Sequence, residues 1–184
     1  MNASDTYMVN TSISEIRPTD QLVTTGVEVK AKELERTWDT SLLEDLVSAM
    51  SITSVLEGLE EDTSDIRLLL ESLVNKYIYL LHPLPYYPDL IEWHGRIEPK
   101  RLGEILEMLG EDELFEILGK ILVYKEEFDE GYIDYVGVED VCESFRKFAK
   151  ACGVAKPNID GNLREKGYRC IVASALLLSK IVFG

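Results

Sequence analysis

Residues 162–183 read NLREKGYRCIVASALLLSKIVF, and this stretch governs how the other helices of the chain can pack. From Cys170 to Leu178 apolar residues occur on every side of a helical wheel, and Ser174 is the only interruption. A helix that is apolar all round is a buried one. The run is shorter than the roughly 20 apolar residues that span a bilayer. We therefore predict that these residues form the central helix of a soluble core.

Upstream of this helix the sequence contains five amphipathic stretches, each with an apolar stripe to bury. They cover residues 41–59, 66–81, 102–109, 114–122 and 141–152. Ser41 followed by Glu44 predicts a capping box at the first of them, and Pro83 ends the second. Residues 126–140 are charged and contain two glycines, which predicts a connection with a brief strand at 132–136.

The fold that these patterns predict is mainly α, an irregular bundle of five to seven helices around a buried C-terminal helix. Residues 31–184 are predicted to form a single helical domain. The first 20 residues are polar and lack a helical period, and a run with β-branched residues follows at 21–31. Residues 1–30 are therefore predicted to be a short extended arm or a β-hairpin.

Acidic residues dominate the charge of the chain, with 34 Asp and Glu against 19 Lys and Arg and a formal net charge of -15. Such a surface repels nucleic acid phosphates and anionic lipids. We therefore expect a protein partner, no direct nucleic acid binding and no membrane, and we leave an oligomer open. The many Glu, Lys and aliphatic residues, with Gln21 as the only glutamine, are typical of proteins from hot environments.

Three cysteines, Cys142, Cys152 and Cys170, make an odd number without a CxxC pair. No signal peptide precedes them, so we expect a cytoplasmic protein with reduced thiols that serve as small core residues. In a hyperthermophile, a pair of cysteines is oxidised even inside the cell.

A proline-rich aromatic segment between the second and third helical stretches is the part of the chain that looks reserved for a partner. Pro83, Pro85 and Pro88 stiffen it, and it ends in a short helical turn. Tyrosine and tryptophan are favoured at interface hot spots. The predicted partner-binding residues are Tyr86, Tyr87, Trp93 and His94. In the alternative interpretation these aromatic side chains fold back and cover the end of the domain's own core.

Four carboxylates form two pairs at i,i+3 spacing, Glu104 with Glu107 and Glu126 with Asp129. This spacing puts two oxygen ligands for Mg²⁺ on one helical face, and its order is similar to the ExxE…ExxD arrangement of the all-α nucleoside triphosphate pyrophosphatases. Acidic i,i+3 pairs also recur elsewhere in the chain, and another helical stripe separates these two. We assign no metal site, no catalytic residue and no cofactor, and keep the four carboxylates as the alternative ligand set.

The function predicted from the sequence is that of a non-enzymatic, acidic, helical protein–protein interaction module, of a size suited to a small subunit of a larger assembly. Two alternatives stay open. One is a Mg²⁺-dependent phosphohydrolase that uses the helix-borne carboxylates. The other is an acidic mimic of nucleic acid that occupies a nucleic-acid-binding protein.

Overall fold

Seven α-helices, joined by short connections, make up the part of the chain that the computed structural model describes, which is residues 40–184. No strand occurs within these residues. The helices are α1 (Ser41–Gly58), α2 (Ser64–Leu81), α3 (Pro88–Arg96), α4 (Leu102–Leu109), α5 (Glu111–Asp129), α6 (Tyr135–Cys152) and α7 (Leu163–Phe183). The predicted mainly α fold is confirmed. The predicted arm or hairpin of residues 1–30 lies outside the described residues.

Helix α7 is the buried helix around which the others are arranged, as predicted. It packs against α2, α3, α5 and α6. Every residue from Gly167 to Ala175 is buried. The one polar interruption of the apolar run is satisfied inside the helix, because the Ser174 hydroxyl donates to the Cys170 carbonyl at 2.8 Å. No helix within residues 40–184 is long and apolar enough to cross a membrane.

The helix ends follow local chemistry, with one difference from expectation. The Asn162 side chain accepts from the Glu165 amide at 2.8 Å and caps α7. Gly153 ends α6 with a φ of 71°, a left-handed conformation that favours glycine. The predicted capping box at the start of α1 is absent, because Thr40 is the N-cap residue and its side chain makes no capping hydrogen bond. Ser41 is thus the first helical residue and not the cap.

The connection predicted at 126–140 is much shorter in the structure. Helix α5 continues to Asp129 and α6 already begins at Tyr135, so the predicted brief strand at 132–136 is wrong. The reason is a helix cap, since the Asp134 side chain accepts from the Gly137 amide at 2.7 Å. This bond starts a helix where the aromatic and β-branched residues alone indicated a strand.

A disulfide between Cys142 and Cys170 joins α6 to α7, which differs from the expectation of three reduced thiols. The two residues are 28 positions apart in sequence, and helix packing brings them together. Cys152 is the free cysteine of the described chain. Burial raises the pKa of the Cys152 thiol to about 12, so this residue is an unreactive part of the core, as expected.

Gly167 lets α7 approach its neighbours closely. A β-carbon at this position would lie 2.7 Å from Cε2 of Phe128 and 3.2 Å from Cγ2 of Val138, so α5 and α6 leave room only for hydrogen. The Phe128 ring also meets the Tyr168 ring edge-on, with centroids 6.0 Å apart. The start of α7 is therefore packed tightly against α5 and α6, and this placement positions the site described next.

Candidate interaction site

The loop between α2 and α3 presents an exposed tyrosine on a constrained backbone. Pro83, Pro85 and Pro88 each fix one φ angle. The side chain of Tyr86 lies at the tip of this loop and is 75% exposed. The Tyr86 ring is therefore exposed to solvent on a loop whose backbone has few accessible conformations.

Arg169 of α7 ties this loop to the core. Its guanidinium lies over the ring of Tyr87, 4.8 Å from the centroid, and pairs with the carboxylate of Asp89. Its Nε and one terminal nitrogen also donate to the Asn158 carbonyl at 3.2 and 3.1 Å. Arg169 is buried, so these partners compensate a charge that would otherwise be costly to bury. One side chain thus connects α7, the loop, the start of α3 and the α6–α7 connection.

A groove of about 530 Å³ lies between the loop and the start of α7. Its lining includes Pro83, Pro85 and Tyr87 from the loop and Asn162, Arg164 and Tyr168 from the α7 end. We call it the loop groove. The Arg164 guanidinium lies 5.1 Å from the Tyr168 ring centroid, so the wall on the α7 side combines a cation with an aromatic face.

The polar groups at the base of the loop groove already have partners. Asp129 accepts from the Tyr168 hydroxyl at 2.8 Å and pairs with the buried Lys125 ammonium at 2.5 Å. Burial, followed by the bond to Asp129, raises the pKa of Tyr168 to about 12. The phenol therefore stays protonated at neutral pH and acts as a hydrogen-bond donor.

The structure separates the four residues predicted for partner binding. Tyr86 and Tyr87 belong to the loop, but Trp93 is only 5% exposed. Its indole N–H donates to the Ala155 carbonyl at 2.8 Å, and its ring meets Phe145 edge-on with centroids 6.0 Å apart. Little of the Trp93 side chain is therefore open to a partner. His94 is half-buried, and burial together with the charge of Lys180 lowers its pKa.

The alternative metal ligands are not brought together. Within residues 40–184 no group of three or more His, Cys, Asp or Glu side chains is placed to hold a metal ion. Glu104 and Glu107 are exposed on the short helix α4, whereas Glu126 and Asp129 lie in the last turn of α5. Asp129 already binds Lys125 and Tyr168.

Arg169 is the residue of the site that the sequence patterns above did not identify. A signal was present in the sequence. Arg169 directly precedes the apolar run that starts at Cys170, and arginine next to a buried helical segment requires partners. Asp89 and the Asn158 carbonyl are distant in sequence, so the partners themselves were not foreseeable.

Replacing Arg169 with Met is expected to lower the free energy of unfolding by about 2 kcal/mol, because hydrogen bonds from a charged donor are lost. Methionine keeps much of the apolar stem, so the cavity term stays small. Urea denaturation of Arg169→Met and of Arg164→Met measures the difference. Arg164 is an exposed arginine on the same helix with one ring contact, so its loss is expected to cost no more than about 1 kcal/mol. Equal losses in both variants would contradict the anchoring role.

Family models, curated proteins and solved structures were compared with this chain, and none of them matches it. Any assignment of function therefore depends on the geometry of the loop groove and the surfaces around it.

Proposed function

We infer that the protein is a non-enzymatic protein–protein interaction module, of the size of a small subunit in a larger assembly, and that it holds its partner at the loop groove. The observation that carries this proposal is the exposed Tyr86 on a loop anchored by Arg169. Tyrosine offers a large contact area at a low cost in side-chain entropy and is enriched among residues that dominate binding energy.

The fixed loop supports binding because ordering a segment costs free energy when a complex forms. That cost is largely met in the free protein here, since three prolines and the Arg169 contacts already restrain the loop. The adjoining groove is lined by proline and tyrosine side chains, surfaces that suit an extended segment of a partner chain. Binding therefore requires little rearrangement of the domain.

The two alternatives have less support. The phosphohydrolase requires converging carboxylates, and the four candidates do not form such a group among the described residues. The acidic mimic of nucleic acid is compatible with the net charge of -15 but does not explain a constrained aromatic loop. We place the interaction module in the cytoplasm, and with the Cys142–Cys170 disulfide this location fits a hyperthermophile, in which intracellular disulfides are common.

Substituting Tyr86 with Ala is expected to weaken partner binding at least tenfold and to leave the folded state unchanged, because the side chain contacts mainly solvent. The probe is a phage-displayed library of random short peptides selected on the wild-type protein. The affinities of the enriched peptides are then measured for wild type and for Tyr86→Ala by fluorescence anisotropy.

Tyr79→Ala is the matched control, since Tyr79 is 77% exposed on α2 but lies outside the loop. It is expected to bind the selected peptides like the wild type. Trp93→Ala is expected to cost about 3–5 kcal/mol of stability, as for other buried aromatic residues. The proposal fails if no peptide is enriched, or if Tyr79→Ala and Tyr86→Ala lose affinity equally.

A further inference from the structure

The turn between α5 and α6 forms a second exposed aromatic surface. Tyr132, Tyr135 and Val136 are 70%, 66% and 72% exposed. A single exposed apolar side chain is ordinary, but three large ones within five residues form a patch that calls for a partner. We call these three residues the α5–α6 turn patch.

The backbone that carries this patch is well defined. The Tyr132 amide donates to the Glu127 carbonyl at 2.9 Å, and the Gly131 amide donates to the Phe128 carbonyl at 3.0 Å. Asp134 caps α6 through the Gly137 amide. The backbone positions of the two tyrosines are therefore fixed by a hydrogen-bonded turn and a capped helix start.

The chain segment that carries the patch is acidic. Residues 126–140 contain seven carboxylates and neither Lys nor Arg. Some of these carboxylates are engaged, such as Asp129 with Lys125 and Asp140 with Lys120 at 3.2 Å. Glu126 and Glu130 form no ion pair with residues 40–184, and Glu130 is exposed. The patch is thus an aromatic surface in a field of negative charge.

We propose that the α5–α6 turn patch binds an arginine-rich segment of a partner protein. The flat face of a guanidinium stacks on a tyrosine ring, and the N–H groups at the guanidinium edge donate paired hydrogen bonds to a carboxylate. The patch and its neighbouring residues offer both groups. Lysine carries the same charge but lacks the planar fork, so it makes weaker use of the rings. None of the three patch residues lines the loop groove, and the inference does not depend on the role of Tyr86.

A preference for arginine over lysine distinguishes binding at this patch from the general attraction of cationic peptides to an acidic protein. Fluorescein-labelled oligoarginine and oligolysine peptides of equal length are titrated against the protein at physiological ionic strength. We expect the wild type to bind oligoarginine at least fivefold more tightly. The double substitution Tyr132→Ala/Tyr135→Ala is expected to weaken oligoarginine binding about fivefold and to leave oligolysine binding nearly unchanged, because two cation–π contacts are lost.

Tyr79→Ala is again the matched control, because Tyr79 is equally exposed but has Asn75, Lys76 and His82 at the neighbouring helical positions and no carboxylate. It is expected to retain the arginine preference, as is Tyr86→Ala. The proposal is overturned if both peptides bind the wild type equally, if neither binds, or if Tyr79→Ala removes the preference as fully as the double substitution does. Circular dichroism of each variant confirms that the helices are intact.

Discussion

A chain truncated after Arg169 is expected to be unfolded. The deletion removes most of the buried face of α7, including Ile171, Val172, Leu177, Leu178 and Val182. Burying one such side chain contributes about 1.5–3 kcal/mol, so these five contribute roughly 7–15 kcal/mol. That sum matches the whole net stability of a typical domain, about 5–15 kcal/mol. Circular dichroism is expected to show loss of helix without a cooperative thermal transition.

Single substitutions in α7 test the same role without removing chain. Leu177 is fully buried and Leu176 beside it is partly exposed. Leu177→Ala is expected to lower the free energy of unfolding by about 2–5 kcal/mol, and Leu176→Ala by clearly less. A truncated chain that still melts cooperatively, or equal losses at the two leucines, would show that α7 is not the centre of the core.

Removing the disulfide by Cys142→Ala/Cys170→Ala is expected to lower the stability by about 3.5 kcal/mol, the loop-closure contribution for a 28-residue separation. For a domain of this size the melting temperature falls by roughly 10 °C. Differential scanning calorimetry of the wild type in reductant is expected to reproduce the transition of the double variant.

Cys152→Ala supplies the control, because Cys152 is buried but forms no disulfide. Without reductant its melting temperature is expected to stay close to that of the wild type. Reductant is expected to lower it by the same roughly 10 °C as in the wild type, because Cys152→Ala retains the Cys142–Cys170 bridge. A thiol titration of the denatured, unreduced wild type is expected to detect one free thiol of the three cysteines. Detection of three thiols would contradict the bridge.

The helical architecture was predictable because it depends on patterns that are local in the chain. The stripe from Ile66 to Leu81 and the apolar run from Cys170 to Leu178 carry their own periodicity, and Pro83 and Gly153 mark ends that the structure retains. Where a local signal was weak, the prediction failed. Tyr135 and Val136 favour a strand by propensity, but the Asp134 cap and the packing of α6 override it.

The site was less predictable because burial depends on residues that are remote in sequence. Tyr86 and Trp93 are both aromatic residues of the same proline-rich region, yet only Trp93 has a carbonyl from residue 155 and the ring of Phe145 beside it. The one local difference is that Trp93 shares a helical spacing of three and four with Leu90 and Ile97, which are also buried. The pairing of Cys142 with Cys170 depends likewise on how α6 and α7 meet.

Gly167, Arg169 and Cys170 together determine the rotation of α7 about its own axis. A helix that is apolar on every side has no polar face to tell one orientation from another, so several rotations would bury similar area. Rotating α7 about its axis by one residue would place a side chain against Phe128, where only hydrogen fits. It would also separate Cys170 from Cys142. The charge of Arg169 would then be buried away from Asp89. Only one orientation satisfies all three conditions. The helix whose surface is most uniformly apolar therefore has a single rotational orientation, and three residues near its start determine it.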